Sequence, residues 1–157
     1  MKPRLYIETS LISYLAAPIS GGLITAARQT VTHNWWRTQR QHYELFISDA
    51  VLDEAARGNA TKAQQRLDLV RGIAKIAPST EQEQLVQLLL PPGYLPAKAS
   101  VDAAHIAAAT LGGADFLLTW NFKHLANAVL RKRVEQLCRN EGYDPPLICT
   151  PEELEER

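Results

Sequence analysis

The sequence has few of the residues that build disulfide frameworks, zinc sites or membrane spans. Its 157 residues include two cysteines, Cys138 and Cys149, and no Cys-x-x-Cys pair. This argues against a disulfide scaffold and a cysteine-based zinc or redox motif, and it favours a reducing compartment. The apolar run that follows the basic start, residues 5–7, is far shorter than a signal-peptide core or a membrane span. We therefore expect a cytoplasmic protein without membrane contact.

An excess of charge of one sign is also absent. Lys plus Arg and Asp plus Glu number 17 each. No overall field would draw the chain to nucleic acid, so any such contact must come from a local patch. The basic cluster of note consists of Arg131, Lys132 and Arg133, with Lys123 nearby. These side chains are candidate RNA contacts, and the alternative is an ordinary solvated helix face.

Short apolar runs that alternate with helical patterns make up most of the chain. Strands are predicted at residues 5–7, 45–47, 73–77, 116–119 and 147–149. Helices are predicted from 9–10 to 15, from 23 to about 42, and at 50–57, 61–72, 79–91, 100–112 and 127–142, with Pro91–Gly93 ending the fifth. Each return to the sheet needs a crossover, so the pattern predicts a three-layer α/β/α fold with a central, mainly parallel sheet of four to five strands.

One domain is predicted at residues 1–150, because 46% apolar residues suit a single core and no repeat is visible. A short acidic tail follows at 151–157, opened by Thr150 as a cap and Pro151 at the first helical position. Further caps are predicted from residue type and place, namely Thr9 or Ser10, Ser48, Thr61 and Asn127.

Polar side chains follow the apolar runs where the strands end. Glu8 follows the first strand, Glu54 lies in the helix after the second, Asp102 opens the Ala-rich helix and Asn121 follows the fourth strand. Ligands of parallel sheets collect outside the carboxyl ends of the strands, so these four residues are predicted to share one site. Carboxylate and amide oxygens suit Mg²⁺ or Mn²⁺, which polarise phosphodiesters and activate water.

Each site residue has a plainer interpretation. Asp102 is also favoured at a helix start by the helix dipole, and Asn121 is also a candidate cap. Glu54 competes with Asp53, because adjacent helical positions point about 100° apart. His105, one turn after Asp102, is expected to be packed or hydrogen-bonded rather than a ligand.

The sequence also makes predictions for several other polar and aromatic residues. Ser10 and Thr119 are predicted to orient a ligand or a water, or else to satisfy local backbone groups. Asp115 precedes the strand that Asn121 follows, so it is expected at the opposite edge of the sheet. Trp35 and Trp36 are adjacent on one helix, so only one is expected to face the core.

The segments that carry these residues resemble the PIN-domain nucleases, and among them the VapC-like toxins of bacterial toxin and antitoxin pairs. The similar segments are Leu5–Ser10, Ser48–Glu54, Asp102–Ala109 and Leu117–Phe122. The resemblance implies a PIN-like α/β/α fold, RNA cleavage dependent on Mg²⁺ or Mn²⁺, a homodimer and a small antitoxin partner. It also implies that the four site residues named above are the metal ligands.

Two positions depart from the family pattern, which usually has Asp at both. Glu8 carries one extra methylene, and Asn121 is neutral. An amide keeps an oxygen that can ligate but removes a negative charge, so a second metal should bind more weakly than the first.

The predicted function is therefore a divalent-metal-dependent ribonuclease that hydrolyses RNA phosphodiester bonds. The alternative is a catalytically weakened PIN-like domain that binds RNA or protein, which Asn121 favours. A phosphatase with an aspartyl nucleophile would need Asp where the chain has Glu8, and the sequence has no Gly-rich phosphate loop.

Overall fold

A five-stranded parallel sheet forms the centre of the protein. The computed structural model describes residues 1–90 and 99–155. The strands are β1 (Arg4–Ile7), β2 (Glu44–Ile47), β3 (Ala74–Lys75), β4 (Phe116–Leu118) and β5 (Leu147–Cys149). They lie in the order β3-β2-β1-β4-β5, and every neighbouring pair is parallel. All five predicted strands are found, and the predicted parallel sheet is confirmed.

Helices cover both faces of this sheet. Within the described residues they are α1 (Thr9–Ala16), α2 (Leu23–Thr38), α3 (Asp49–Ala55), α4 (Ala60–Val70), α5 (Thr80–Leu89), α6 (Ser100–Leu111) and α7 (Ala128–Asn140). Successive strand residues point to opposite faces, and Leu5, Tyr6 and Ile7 of β1 are all fully buried. Burial on both sides requires a layer of helices on each face, so the predicted three-layer fold is confirmed.

The structure corrects one predicted helix end by about a turn and one predicted cap by two residues. The second helix does not run to about residue 42, because α2 ends at Thr38 and a 3₁₀ turn (Arg40–His42) leads into β2. Thr61 does not cap the fourth helix. Asn59 does so, since its side chain accepts a hydrogen bond from the backbone N–H of Lys62 at 3.1 Å, and α4 begins at Ala60.

The segment after α5 and the C-terminal end of the chain bear on two further predictions. The helix end predicted at Pro91–Gly93 lies outside the described residues. At the C-terminus, Thr150 and Glu153 form a capping box over a 3₁₀ turn (Pro151–Leu154) in which Leu154 is buried. The first residues of the predicted tail are therefore packed on the domain. The domain boundary at residue 150 stays a prediction.

Arg4 organises the edge of the sheet where the strands begin. Its guanidinium donates a hydrogen bond to the Gly112 carbonyl at 2.8 Å and pairs with Glu44 at 3.4 Å. Its backbone N–H donates to Asp115 at 2.7 Å, so Asp115 lies at this edge, as predicted. A Cβ atom on Gly112 would collide with the side chain of Ile76, which explains the glycine.

The two adjacent tryptophans of α2 separate as expected. Trp35 is fully buried in the core. Trp36 is half-buried, and the guanidinium of Arg40 lies 4.5 Å from its ring centroid. Cys138 and Cys149 are both free and buried. Over residues 1–90 and 99–155, no helix has the length and apolar character needed to cross a membrane.

Candidate active site

Three carboxylates gather where the parallel strands end. Glu8 follows β1, Glu54 belongs to the helix after β2, and Asp102 lies in the first turn of α6. The chain places β2 and β3 on one side of β1, and β4 and β5 on the other. The crevice between β1 and β4 is therefore the point where the strand order reverses, the usual ligand position in such sheets.

Glu8 is held by hydroxyl groups on two sides. Its Oε1 accepts hydrogen bonds from the hydroxyls of Ser10 at 2.5 Å and Thr119 at 2.6 Å. Its Oε2 accepts from the backbone N–H of Ser10 at 3.0 Å, so Glu8 caps α1, and the predicted cap at Thr9 or Ser10 is wrong. The extra methylene of Glu8 is accommodated because the side chain folds back over the helix start.

The hydroxyls of Ser10 and Thr119 contact both Glu8 and backbone groups, so the predicted backbone role is found, and their role in orienting a ligand stays a prediction. Each hydroxyl donates to Glu8, and each also accepts from a backbone group. Ser10 Oγ accepts from the N–H of Trp120 at 2.8 Å, and Thr119 Oγ1 accepts from the N–H of Asn121 at 3.0 Å. The two hydroxyls therefore connect the Glu8 carboxylate rigidly to the end of β4.

Glu54 faces the same crevice, whereas its neighbour Asp53 is exposed. Glu54 Oε1 accepts a hydrogen bond from the Thr9 hydroxyl at 2.7 Å and lies 2.5 Å from His105 Nε2. Burial alone would raise the pKa of Glu54, but the hydrogen bonds from His105 and Thr9, with the charge of Arg57, lower it below its ordinary value. Glu54 is therefore ionised at neutral pH.

Asp102 and Asn121 are joined by a hydrogen bond. Asn121 Oδ1 accepts from the backbone N–H of His124 at 3.1 Å, which fixes the orientation of the amide and turns Nδ2 towards Asp102 Oδ1 at 3.3 Å. Burial raises the pKa of Asp102, and the charges of Glu8 and Glu54 add to this effect against the opposing influence of two histidines. Asp102 is thus an acid in an electrostatically unfavourable position.

His105 is fully buried and hydrogen-bonded, in agreement with the expectation from sequence. Its Nδ1 lies 2.7 Å from the hydroxyl of Tyr6, which lies 2.6 Å from Ser48 Oγ. Burial raises the pKa of Tyr6 far above its ordinary value. Ser48 occupies the N-cap position of α3, as predicted, but its hydroxyl contacts Tyr6 and makes no cap hydrogen bond. Sequence reasoning overlooked Tyr6, whose polar tip in an apolar strand was the available signal.

The donor set fits a hard divalent cation. Ligand atoms of Glu8, Glu54 and His105 lie within 4.8 Å of one another, and Asp102 is outside that trio but close enough for its pKa to respond to both glutamates. Among the described residues, no Lys or Arg side chain pairs with these three carboxylates. Half-buried carboxylates without a cationic partner are the kind of site that Mg²⁺ or Mn²⁺ occupies.

The basic residues singled out from sequence differ in their freedom to bind RNA. Arg131 donates a hydrogen bond to the Ile148 carbonyl at 2.9 Å and pairs with Glu153 at 3.7 Å, so it ties α7 to the last strand. Lys123, Lys132 and Arg133 are exposed.

Comparison with known proteins shows which fold this is. No protein-family model and no curated protein matches the sequence. The solved structure of the Sarcin-Ricin loop cleaving toxin VapC20 of Mycobacterium tuberculosis matches with a TM-score of 0.56 at 16% identity, over 76% of this chain and 91% of that one. A chain from the structure of Rickettsia felis VapBC2 bound to a promoter DNA fragment matches with a TM-score of 0.58 at 15% identity. The match covers 93% of this chain and 97% of that one. At such identities the similarity establishes a shared fold, and the PIN-like fold expected from the motifs is thereby confirmed.

Proposed function

We propose that the protein is a divalent-metal-dependent ribonuclease of the VapC toxin type, which hydrolyses RNA phosphodiester bonds. The observation that carries the proposal is the gathering of Glu8, Glu54 and Asp102 in the crevice of a PIN-like fold, where no Lys or Arg of the described residues forms an ion pair with them. One structural neighbour, VapC20, is described as a toxin that cleaves the Sarcin-Ricin loop.

Glu8, Glu54 and Asp102 would hold Mg²⁺ or Mn²⁺. The bound ion supplies polarisation of the phosphodiester and a lowered pKa of coordinated water. Ser10 and Thr119 keep the Glu8 carboxylate in place. Asn121, predicted as a fourth ligand, orients Asp102 through its amide and contributes no charge, so we propose that a second ion binds weakly.

Arg57 is the cationic side chain best placed for a substrate phosphate. A groove with a volume of about 280 Å³ is lined by Glu54, Arg57 and Ser100, together with neighbouring residues of α3 and α6. Arg57 is exposed, and within the described residues its guanidinium has no hydrogen-bond or ion-pair partner. Phosphate contacts of this kind supply much of the affinity for nucleic acid. Lys123, Lys132 and Arg133 would contact more distant phosphates.

A toxin function would also give the protein partners. We propose a homodimer that is restrained by a small antitoxin in the cytoplasm, supported by the shared fold with a chain of the VapBC2 assembly. Sedimentation equilibrium should give twice the mass of the 157-residue chain. A single-chain mass at micromolar concentration would contradict the dimer without affecting the proposed cleavage.

The proposed activity is tested by incubating purified protein with RNA in Mn²⁺, in Mg²⁺ and in chelator. Wild type should cleave only with metal, and Asp102→Asn should abolish cleavage while circular dichroism shows an intact fold. The matched control is Asp68→Asn, because Asp68 pairs with Arg71 on the exposed surface of α4, away from the crevice. Retained cleavage in Asp102→Asn would remove Asp102 from the mechanism.

The alternative of a binding module is separated by one further variant. If wild type and Asp102→Asn are both inactive and Asn121→Asp cleaves RNA in Mn²⁺, the natural chain binds rather than cleaves.

Arg57→Gln should raise KM about tenfold, as expected for a lost phosphate contact of roughly 1.4 kcal/mol, and leave kcat nearly unchanged. Lys132→Gln serves as the comparison for a more distant cation. Equal effects of the two substitutions would deny Arg57 a specific role.

A further inference from the structure

Five side chains from five parts of the fold form one continuous chain of hydrogen bonds behind the crevice. Ser48 Oγ lies 2.6 Å from the Tyr6 hydroxyl, and that hydroxyl lies 2.7 Å from His105 Nδ1. His105 Nε2 lies 2.5 Å from Glu54 Oε1, which also accepts from the Thr9 hydroxyl at 2.7 Å. Ser48, Tyr6 and His105 are buried, so their polar groups depend on one another.

The shortest contact in this hydrogen-bond chain indicates where one proton lies. A nitrogen and a carboxylate oxygen approach to 2.5 Å only when a proton lies between them, so Nε2 of His105 carries a hydrogen towards Glu54. With a neutral imidazole, Nδ1 presents a lone pair to which the Tyr6 hydroxyl donates. The Tyr6 oxygen in turn accepts from Ser48. With these donors and acceptors, every buried member of the hydrogen-bond chain has a partner.

The same assignment removes His105 from the candidate metal ligands. By distance alone, Glu8, Glu54 and His105 form a three-ligand cluster. However, the lone pair at Nδ1 is taken by Tyr6, and Nε2 bears the proton that Glu54 accepts. An imidazole in this state has no lone pair to give to an ion.

We infer that His105 is a positioning residue that holds Glu54 in the crevice, and that Tyr6 and Ser48 fix its tautomer and ring orientation. The assignment rests on the proposed function only in that Glu54 is taken as a metal ligand. Partners that orient a ligand from behind typically change metal affinity by about 10–100-fold when they are removed. Tyr6→Phe would leave Nδ1 without its donor, so the imidazole would lose one of the two hydrogen bonds that hold it.

The tautomer can be measured in metal-free protein. The chain has four histidines, so ¹⁵N imidazole shifts can be assigned by the signals that disappear in His105→Gln. Wild type should show a protonated Nε2 and an unprotonated, hydrogen-bonded Nδ1. The shifts should change in Tyr6→Phe. They should stay unchanged in Tyr14→Phe, because Tyr14 is a half-buried tyrosine outside this chain of hydrogen bonds. An unprotonated Nε2 in wild type would overturn the inference.

Metal binding gives the second readout. Tyr6→Phe should weaken Mn²⁺ binding by about 10–100-fold, with Tyr14→Phe unchanged. His105→Gln, whose amide can still donate to Glu54, should retain more affinity than His105→Leu. Pulsed electron paramagnetic resonance of the Mn²⁺ complex should show no directly bonded imidazole nitrogen. A nitrogen coupling that vanishes in His105→Gln would make His105 a ligand and refute the positioning role.

These readouts separate the inference from the proposed ribonuclease activity. If the protein binds Mn²⁺ and cleaves no RNA, the activity fails while the tautomer and affinity results still decide the role of His105. If Mn²⁺ does not bind, the imidazole shifts alone decide it. Should Tyr6→Phe fail to fold, Ser48→Ala removes only the last hydrogen bond of the series, the one to Tyr6, and should give a smaller change in the same shifts. Unchanged shifts in Ser48→Ala would then count against the inference.

Discussion

The two edges of the sheet treat their acidic residues in opposite ways. Where the strands begin, Glu44 pairs with the Arg4 guanidinium, and Asp115 accepts the Arg4 backbone N–H. Where the strands end, Glu8, Glu54 and Asp102 have only hydroxyl, amide and imidazole partners among the described residues. Glu44 is thus neutralised by Arg4 and Asp115 is hydrogen-bonded to the backbone, whereas the three acids at the strand ends leave a negative charge that a cation from outside can relieve.

The largest expected difference between the two edges is in catalysis. Glu54→Gln should lower kcat by about 100-fold or more, because it removes a charge that would hold the ion. Asp115→Asn should leave kcat within about twofold, because the opposite edge does not contact the reacting groups. Steady-state RNA cleavage with both variants tests this, and equal losses would show that the two edges do not differ in function.

A second comparison asks what an added charge does at the strand ends. In the wild type, Asn121 Nδ2 lies 3.3 Å from Asp102 Oδ1. Asn121→Asp would place a second carboxylate beside Asp102 there, so the metal-free variant should melt below wild type. With Mn²⁺ at 100 times its Kd, a second bound ion should add roughly 5–10 °C to the rise in Tm. Thermal shift and calorimetric stoichiometry measure this. If wild type already bound two ions and Asn121→Asp bound the same number, the predicted gain of a second ion would be contradicted.

The raised pKa of Asp102 predicts a smaller, pH-dependent effect. Its pKa in the folded protein lies above that of the unfolded chain, about 3.9, so its contribution to stability is full below that value and is lost as pH rises through the folded pKa. Metal-free Asp102→Asn should therefore have a higher Tm than wild type at pH 7, and the gap should shrink towards pH 4. Saturating Mn²⁺ should reverse the order. A less stable variant at pH 7 without metal would contradict the pKa direction.

The smallest effect on stability is expected for the Arg4–Glu44 ion pair, at the edge where the strands begin. Glu44→Gln breaks an ion pair whose side chains are 50% and 38% exposed, and such pairs contribute at most about 1 kcal/mol. Tm should fall by no more than about 2–4 °C, and the difference should vanish in 1 M salt. Calorimetry at low and high salt measures it, and a large salt-independent loss would mean that Glu44 does more than pair with Arg4.

Much of the fold was predictable because its signals are local. Short apolar runs bounded by polar or small residues marked four of the strands, and a run interrupted by Lys75 marked β3. Parallel pairing followed from the helices between the strands. The errors were also local in origin. Thr9, Ser48 and Thr61 are suitable caps by residue type, yet Glu8 and Asn59 cap their helices, and Ser48 bonds to Tyr6 instead. Competition between neighbouring polar side chains is decided by geometry that residue type does not contain.

The candidate site was predictable in membership more than in arrangement. Acids that follow parallel strands must approach one another, because the strand ends share one edge, and this applied to Glu8 and Glu54. Asp102 opens the helix that leads into β4, and it was predicted at this edge with them. The role of Asn121 was not accessible, since only the bond from His124 shows which way its amide points. Arg131 looked as free as Lys132 in the sequence, and only folding ties it to Ile148 and Glu153.

By itself, the sequence determined a parallel α/β/α fold and the set of acids at the carboxyl ends of its strands, because periodicity and strand-end position are properties of neighbouring residues. Only the tertiary structure decided which acids lack a cation and what His105 does. Tyr6 and His105 are 99 residues apart, and Glu54 and His105 are 51 apart. Hydrogen bonds between such distant residues exist only once the sheet and its helices have packed, so no local pattern could have assigned them.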